Sequence, residues 1–177
     1  MANIKPLPLE SITDPELREL IVRCEKLGVP DSIFPRILAH VPSYAKALLR
    51  ALLHSHVEGN VDHRLKEIIR VRLARIAGDP YFSALRSKQA KASGLTEERI
   101  AAATKFNEGP YTPAEKLAIE YAVQMYLDAD GNDAAFYARL KEHYSEAQIM
   151  ELGAFIAFHY GMQVFMRTLD ARPLATT

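Results

Sequence analysis

Between residues 62 and 77, apolar positions recur at helical spacing. Leu65, Ile68, Ile69, Leu73 and Ile76 form one broad arc, which predicts a core-facing helix. Asp62 is placed to cap its start, and Gly78 suits the left-handed position that ends it. Asp79-Pro80 restarts the chain with a capping side chain and a proline at the first helical position, so the junction is predicted to be a helix-to-helix elbow. On the side opposite the arc, Glu67 stands with His63, Val71, Ala74 and Gly78, modest residues that let another backbone approach. Glu67 is therefore expected to point into a second contact surface, with His63 and Arg70 as the partners within one turn.

The same patterning organises the rest of the chain. Residues 1–10 hold two prolines and no period, and they read as an extended arm lying on a surface or a neighbouring subunit. A helix follows from Thr13 or Asp14, with Leu17, Leu20, Ile21 and Cys24 inward and Gly28 and Pro30 as its stop. Pro35 and Pro42 divide the next stretch into a short helix and a longer one from Ser43 to about Glu58. Beyond the elbow, helices are expected at 80–93, from Thr96, at 112–127, 134–143 and 145–169. No alternating run is long enough for a sheet, so the prediction is a single all-α domain over residues 1–177 with about eight helices.

The last helix is apolar nearly all round from Leu152 to Met166, as expected of a helix buried between layers or inside an oligomer. His159 and Gln163 interrupt it on one face. A hydrogen-bonded core pair is the expected reading of these two, with a ligand-binding pair as the alternative.

Charge and composition narrow the function. The 22 basic and 22 acidic side chains cancel, leaving no net positive field to favour nucleic acid or an anionic membrane surface. Cys24 is the single cysteine, so no disulfide can form within the chain, and a reducing cytoplasm fits this usage. The N-terminal residues lack the basic-then-apolar pattern of a secretory signal, and no apolar stretch reaches spanning length free of polar groups. His54 and His56 are two apart, face different ways on a helix and have no HExxH pattern beside them, so no metal is expected. With no glycine-rich phosphate loop and no G-x-S-x-G elbow, no cofactor is expected either. Arg72 falls inside the apolar arc, where an unpaired guanidinium is costly. It is expected to pair with Glu115, Glu120 or Glu151, or else with a substrate carboxylate.

Glu67, then Gly78-Asp79-Pro80-Tyr81-Phe82, then Arg86 resembles the core of the carboxymuconolactone decarboxylase and alkylhydroperoxidase D superfamily, over roughly residues 40–125. The resemblance implies an alkylhydroperoxidase D-like orthogonal helical bundle and self-association as a trimer or hexamer. Thiol peroxidase members carry a glutamate, then C-x-x-C at the start of the next helix, then a histidine four residues after the second cysteine. Those positions here are Glu67, Asp79, Phe82 and Arg86, so only the glutamate is kept and disulfide-forming peroxidase chemistry is excluded. Asp79 is expected to act as a helix cap rather than a catalyst, while remaining placed to orient a substrate or a water.

The leading expectation from this resemblance is a cofactor-independent decarboxylase or lyase acting on a small organic acid. Glu67, its pKa raised by burial, would move the proton; Arg86 or Arg72 would hold a carboxylate, and Tyr81 would line an apolar pocket. His63, Asp79, Phe82 and His159 complete the expected substrate surroundings. The rival is a noncatalytic oligomeric binding or scaffold protein that kept the fold after losing the thiols. An open pocket on which Glu67, Tyr81 and Arg86 converge favours the enzyme, whereas a salt-bridged, filled elbow favours the rival.

Overall fold

In the computed structural model, which describes residues 2–174, the chain forms helices and no strand among those residues. They are α1 (Pro15–Leu27), α2 (Ile33–Leu38), α3 (Pro42–Val57), α4 (His63–Ala77), α5 (Pro80–Ala84), α6 (Lys88–Ala92), α7 (Glu97–Ala102), α8 (Pro113–Leu127), α9 (Ala134–Lys141) and α10 (Glu146–Leu169). Their ends fall where the capping residues stand. Asp14 accepts from Leu17 N and Asp62 from Arg64 N, while Thr112 with Glu115 and Ser145 with Gln148 close full capping boxes. Gly78 ends α4 at φ 63°, a backbone setting that side chains with a Cβ rarely adopt.

One predicted element differs. The helix expected over 80–93 is two helices, broken at Leu85, whose ψ of 151° is extended; Ser87 then caps α6 by accepting from Ala90 N. The break has a tertiary cause. Arg70 takes the carbonyls of Phe82 and Leu85, and Glu67 takes the Ser87 N–H, so these groups are drawn off the helical ladder.

Helix α4 lies at the centre. Its Leu65, Ile68, Ile69 and Leu73 pack with Leu117 and Ala118 of α8 and with Leu152 and Ile156 of α10. Ile76 is only half-buried, at the end of the arc. A second cluster joins Leu17, Ile21 and Cys24 of α1 to Leu49 and Leu53 of α3. Cys24 is wholly buried there, and burial pushes its thiol up to about 12. A third cluster fills the elbow with Phe34, Ala74, Tyr81, Phe82 and Met166. The N-terminal arm lies on the chain's own surface, with Leu7 N bonded to Arg36 O and Asn3 N to Leu169 O.

By length and composition, α10 is the one described helix apolar enough to cross a membrane. It packs by its inner face against α4, and its outer face leaves Tyr160, Val164 and Phe165 exposed.

Candidate functional site

The elbow is built on two charged side chains one turn apart on α4, Glu67 and Arg70, with side chains 1% and 0% exposed. Arg70 donates through Nε to Oε2 at 2.8 Å and through Nη2 to Oε1 at 2.7 Å. The same guanidinium donates to Phe82 O at 2.6 Å and Leu85 O at 2.7 Å, and Ser87 N donates to Glu67 Oε1 at 2.8 Å. Every nitrogen and oxygen of the two charged groups thereby has a partner, the condition under which a buried ion pair is tolerated. Burial alone would raise the Glu67 carboxyl; the Arg70 guanidinium, with help from His56 and the Ser87 amide, overcomes it and holds the group at about 2.

This corrects the expectation of a raised Glu67 pKa. At neutral pH the carboxyl has no proton to give, and it is too weak a base to take one efficiently.

The other predicted residues divide into packing and periphery. Asp79 caps α5, accepting from Tyr81 N at 3.0 Å and Phe82 N at 3.1 Å; burial outweighs those bonds and shifts its carboxyl upward. Tyr81 is fully buried rather than lining a pocket. Its hydroxyl donates to Asp31 Oδ1 at 2.5 Å and accepts from Phe34 N at 3.2 Å. Burial, reinforced by Asp31, pushes its pKa well above the usual value. Phe82 packs edge-on against Phe34 and Tyr81.

His63 is beside the elbow but does not bond Glu67: Nδ1 donates to His56 O at 2.5 Å and Nε2 lies 2.7 Å from Ser87 Oγ. Arg86 alone of the predicted catalytic residues lines an open cavity, of about 420 Å³, along with Asp31, Leu85, Lys88 and Lys91. Its Nε is held by Glu97 at 3.0 Å, and its Nη1 by the carbonyls of Ser83 and Leu85 at 2.7 Å.

Arg72 is a second correction. It has none of the expected partners, because Glu115 pairs with Arg99, Glu120 with Arg139 and Glu151 with Lys66. Its Nε is buried without a hydrogen bond, but the residue as a whole is only partly buried, so solvent reaches it in place of the acidic partner that full burial would demand.

Residues 42–124 match the Carboxymuconolactone decarboxylase family. The helices that hold Glu67 and the elbow lie inside that match, and no cysteine stands at either thiol position. That segment, just under half of the chain, is similar to this family, without the paired thiols. The Bacillus subtilis (strain 168) protein YdfG, itself uncharacterized, is 28% identical over 97 residues, 54% of this chain and 66% of that relative. Among solved structures, the apo debrominase Bmp8 superposes with a TM-score of 0.81 at 20% identity, covering 97% of this chain and 92% of that one. The alkylhydroperoxidase AhpD core of a peroxidase-related protein from Ralstonia eutropha JMP134 does so at 0.80 and 16%, over 97% and 93%. At these identities the superpositions establish the shared fold.

This thiol-free carboxymuconolactone decarboxylase-like chain has a second buried polar cluster, which the sequence reading left mostly unnoticed. His56 of α3 and His159 of α10 stack with ring centroids 4.9 Å apart and planes at 14°, and Phe155 packs on both. His159 Nε2 lies 3.4 Å from Ser55 Oγ, while His159 Nδ1, both His56 ring nitrogens and Gln163 Oε1 are buried without a partner. The expected His159–Gln163 hydrogen-bonded pair does not form, because Gln163 Nε2 donates instead to Arg70 O at 2.9 Å. Each such orphaned group costs about 1–3 kcal/mol.

Burial, partly opposed by Glu67, lowers the His56 pKa to about 3; burial and the neighbouring His56, Arg70 and Lys66 lower that of His159 well below the usual range. Both rings are therefore neutral at pH 7. In front of them is a cavity of about 360 Å³ walled by Ser55, Lys66, Glu151, Phe155 and Phe158. Lys66 is buried in an ion pair with Glu151 and also donates to the carbonyls of Ser55 at 3.1 Å and Glu58 at 2.7 Å. The legible signal was His56 on the buried face of α3 with Leu49, Leu52 and Leu53, at the helical spacing of a core position.

Proposed function

We propose that this protein is a thiol-independent member of its family that binds a small organic anion beside a braced elbow and self-associates as a trimer or hexamer. The observation that carries the reading is the Glu67–Arg70 pair, whose guanidinium also ties down the Phe82 and Leu85 carbonyls. With Glu67 held ionised and no thiol at Asp79 or Phe82, the elbow serves as a brace rather than as a peroxidase or proton-transfer centre.

Anion binding is supported by the adjoining cavity, where Arg86, Lys88 and Lys91 line the wall. Two acidic residues, Glu25 and Asp31, share that wall, and the Asp31 carboxylate already accepts from Tyr81 Oη, Ile33 N and Leu174 N. Self-association is supported by the exposed Tyr44, Val41 and Phe165, which border a common apolar groove. A cytoplasmic setting suits the single reduced, buried cysteine. A lyase step on the bound acid is the second reading, favoured by the open cavity wall at Arg86; Glu67 is not its proton carrier.

Calorimetric titration and turnover assays with carboxylated lactones and related small acids test this. Binding is expected, weakened at least about tenfold by Arg86→Ala, the loss of one charge-assisted contact. Peroxide turnover that disappears in Cys24→Ala would overturn the thiol-independent reading. Acid turnover abolished by Glu67→Gln in a folded protein would return the elbow to the chemistry. Light scattering is expected to report an oligomer, and a monomer would refute self-association.

A further inference from the structure

We infer that the cavity between α3, α4 and α10 is a second small-molecule site, taking a neutral aromatic compound with one hydroxyl or carbonyl group, with Ser55 as its polar contact and His159 positioning Ser55. The site shares no lining residue with the Arg86 cavity. Its volume of about 360 Å³ falls within the span of small-molecule clefts, and Ala51, Ala154, Phe155 and Phe158 give it mainly apolar walls. Two phenylalanines on the wall favour a flat ring.

Charge selects against an anion. Lys66 already faces Glu151 and two carbonyls, and Glu58 adds an acidic group at the rim. Beside the His54 imidazole, the one cationic side chain that a carboxylate entering here meets is Lys66, already paired with Glu151.

The hydrogen-bonding requirement comes from Ser55. Its hydroxyl donates to Leu52 O at 3.0 Å, so His159 Nε2 is the donor toward Ser55 Oγ at 3.4 Å. That fixes His159 in the tautomer whose Nδ1 is a bare acceptor, and Nδ1 is one of the buried atoms without a partner. A ligand carbonyl can draw the Ser55 hydrogen away from Leu52 O, and a ligand hydroxyl can donate to Ser55 Oγ. In either case the imidazole N–H behind Ser55 holds the oxygen in place. His159 and His56 are 0% and 1% exposed, so this polar cluster reaches the cavity only through Ser55. Unpaired buried groups concentrated behind one cavity wall are uncommon in native proteins and mark sites of function.

The test titrates the full chain with phenol, benzoate and toluene, read by amide signals and by the ¹⁵N signals of the histidine imidazoles. Phenol is expected to shift Ser55, Ala154 and the His159 ring. Ser55→Ala should weaken phenol by about tenfold, one neutral hydrogen bond, while leaving toluene unchanged. His159→Gln, which keeps an N–H donor, should retain more phenol affinity than His159→Phe. Ala154→Trp and Ala51→Leu, both at exposed positions, should block phenol and toluene without unfolding the protein. Benzoate binding here as tightly as phenol would overturn the inference, as would phenol binding that survives both blocking variants. Unmoved His159 ring signals at millimolar phenol would do so equally.

Discussion

The elbow and the histidine cluster are both buried and polar, and they are joined through Gln163, which lies one turn from His159 and donates to Arg70 O. They differ in how fully they are bonded. At the elbow both partners are charged, and each carboxylate oxygen and each guanidinium nitrogen has a partner within the protein. At the cluster the rings are neutral and four polar atoms have no partner. A buried charge persists only when its bonds are complete, so the elbow is committed to structure. Neutral groups can be left partly unbonded at lower cost, so the cluster keeps capacity for a ligand. The glutamate that points to the family is thus in the committed region.

That contrast can be broken most severely at Arg70. Arg70→Ala should destabilise the fold by about 3–5 kcal/mol in urea unfolding, the cost of stranding a buried charge. A loss below about 1 kcal/mol would mean that the elbow is not a brace.

Acid should act next. The folded-state pKa of His56 lies below its unfolded value, so the unfolded chain binds more protons as pH falls below about 6.5. Stability should therefore decline from that pH down to about 3, by about 1.4 kcal/mol per unit for each such histidine, and His159 acts in the same direction. Glu67 adds a second loss, starting near 4.5 and running toward 2. Urea midpoints measured from pH 7 downward should show the first decline, and His56→Phe should remove part of it. A flat profile above pH 5 would contradict neutral, buried imidazoles.

A smaller effect is expected from His159→Phe, which removes an unsatisfied polar group and keeps the ring. Stability should stay within about 1 kcal/mol of the parent or rise. A loss above about 2 kcal/mol would show that the imidazole carries structural bonds comparable to those of the elbow. Smallest of all, Arg72→Leu should change stability by no more than about 0.5 kcal/mol, since no ion pair is lost.

Much of the frame was legible in the chain itself. The wheel of α4 placed Leu65, Ile68, Ile69 and Leu73 inward and Glu67, Val71 and Ala74 on the second buried side, and the caps Asp62, Gly78 and Asp79 stand where local chemistry puts them. Properties that depend on a tertiary partner were not legible. The sign of the Glu67 shift turns on Arg70 being buried with it, and the break at Leu85 turns on where three backbone groups find their bonds. The partial exposure of Arg72 depends on how its neighbours cover α4, which no helical wheel reports. His56 and Lys66 were missed for a related reason. Each is an ordinary polar residue in sequence, and only the packing of α3 and α10 on α4 takes it out of water.

The most direct test of a braced elbow is a double-mutant cycle on Glu67→Gln and Arg70→Met, read by urea unfolding at pH 7. Each single change should cost about 3–5 kcal/mol, and the double should cost less than their sum by at least about 2 kcal/mol, because removing both charges strands neither. Losses that add to within about 0.5 kcal/mol would show that the two side chains act independently, and would contradict the brace.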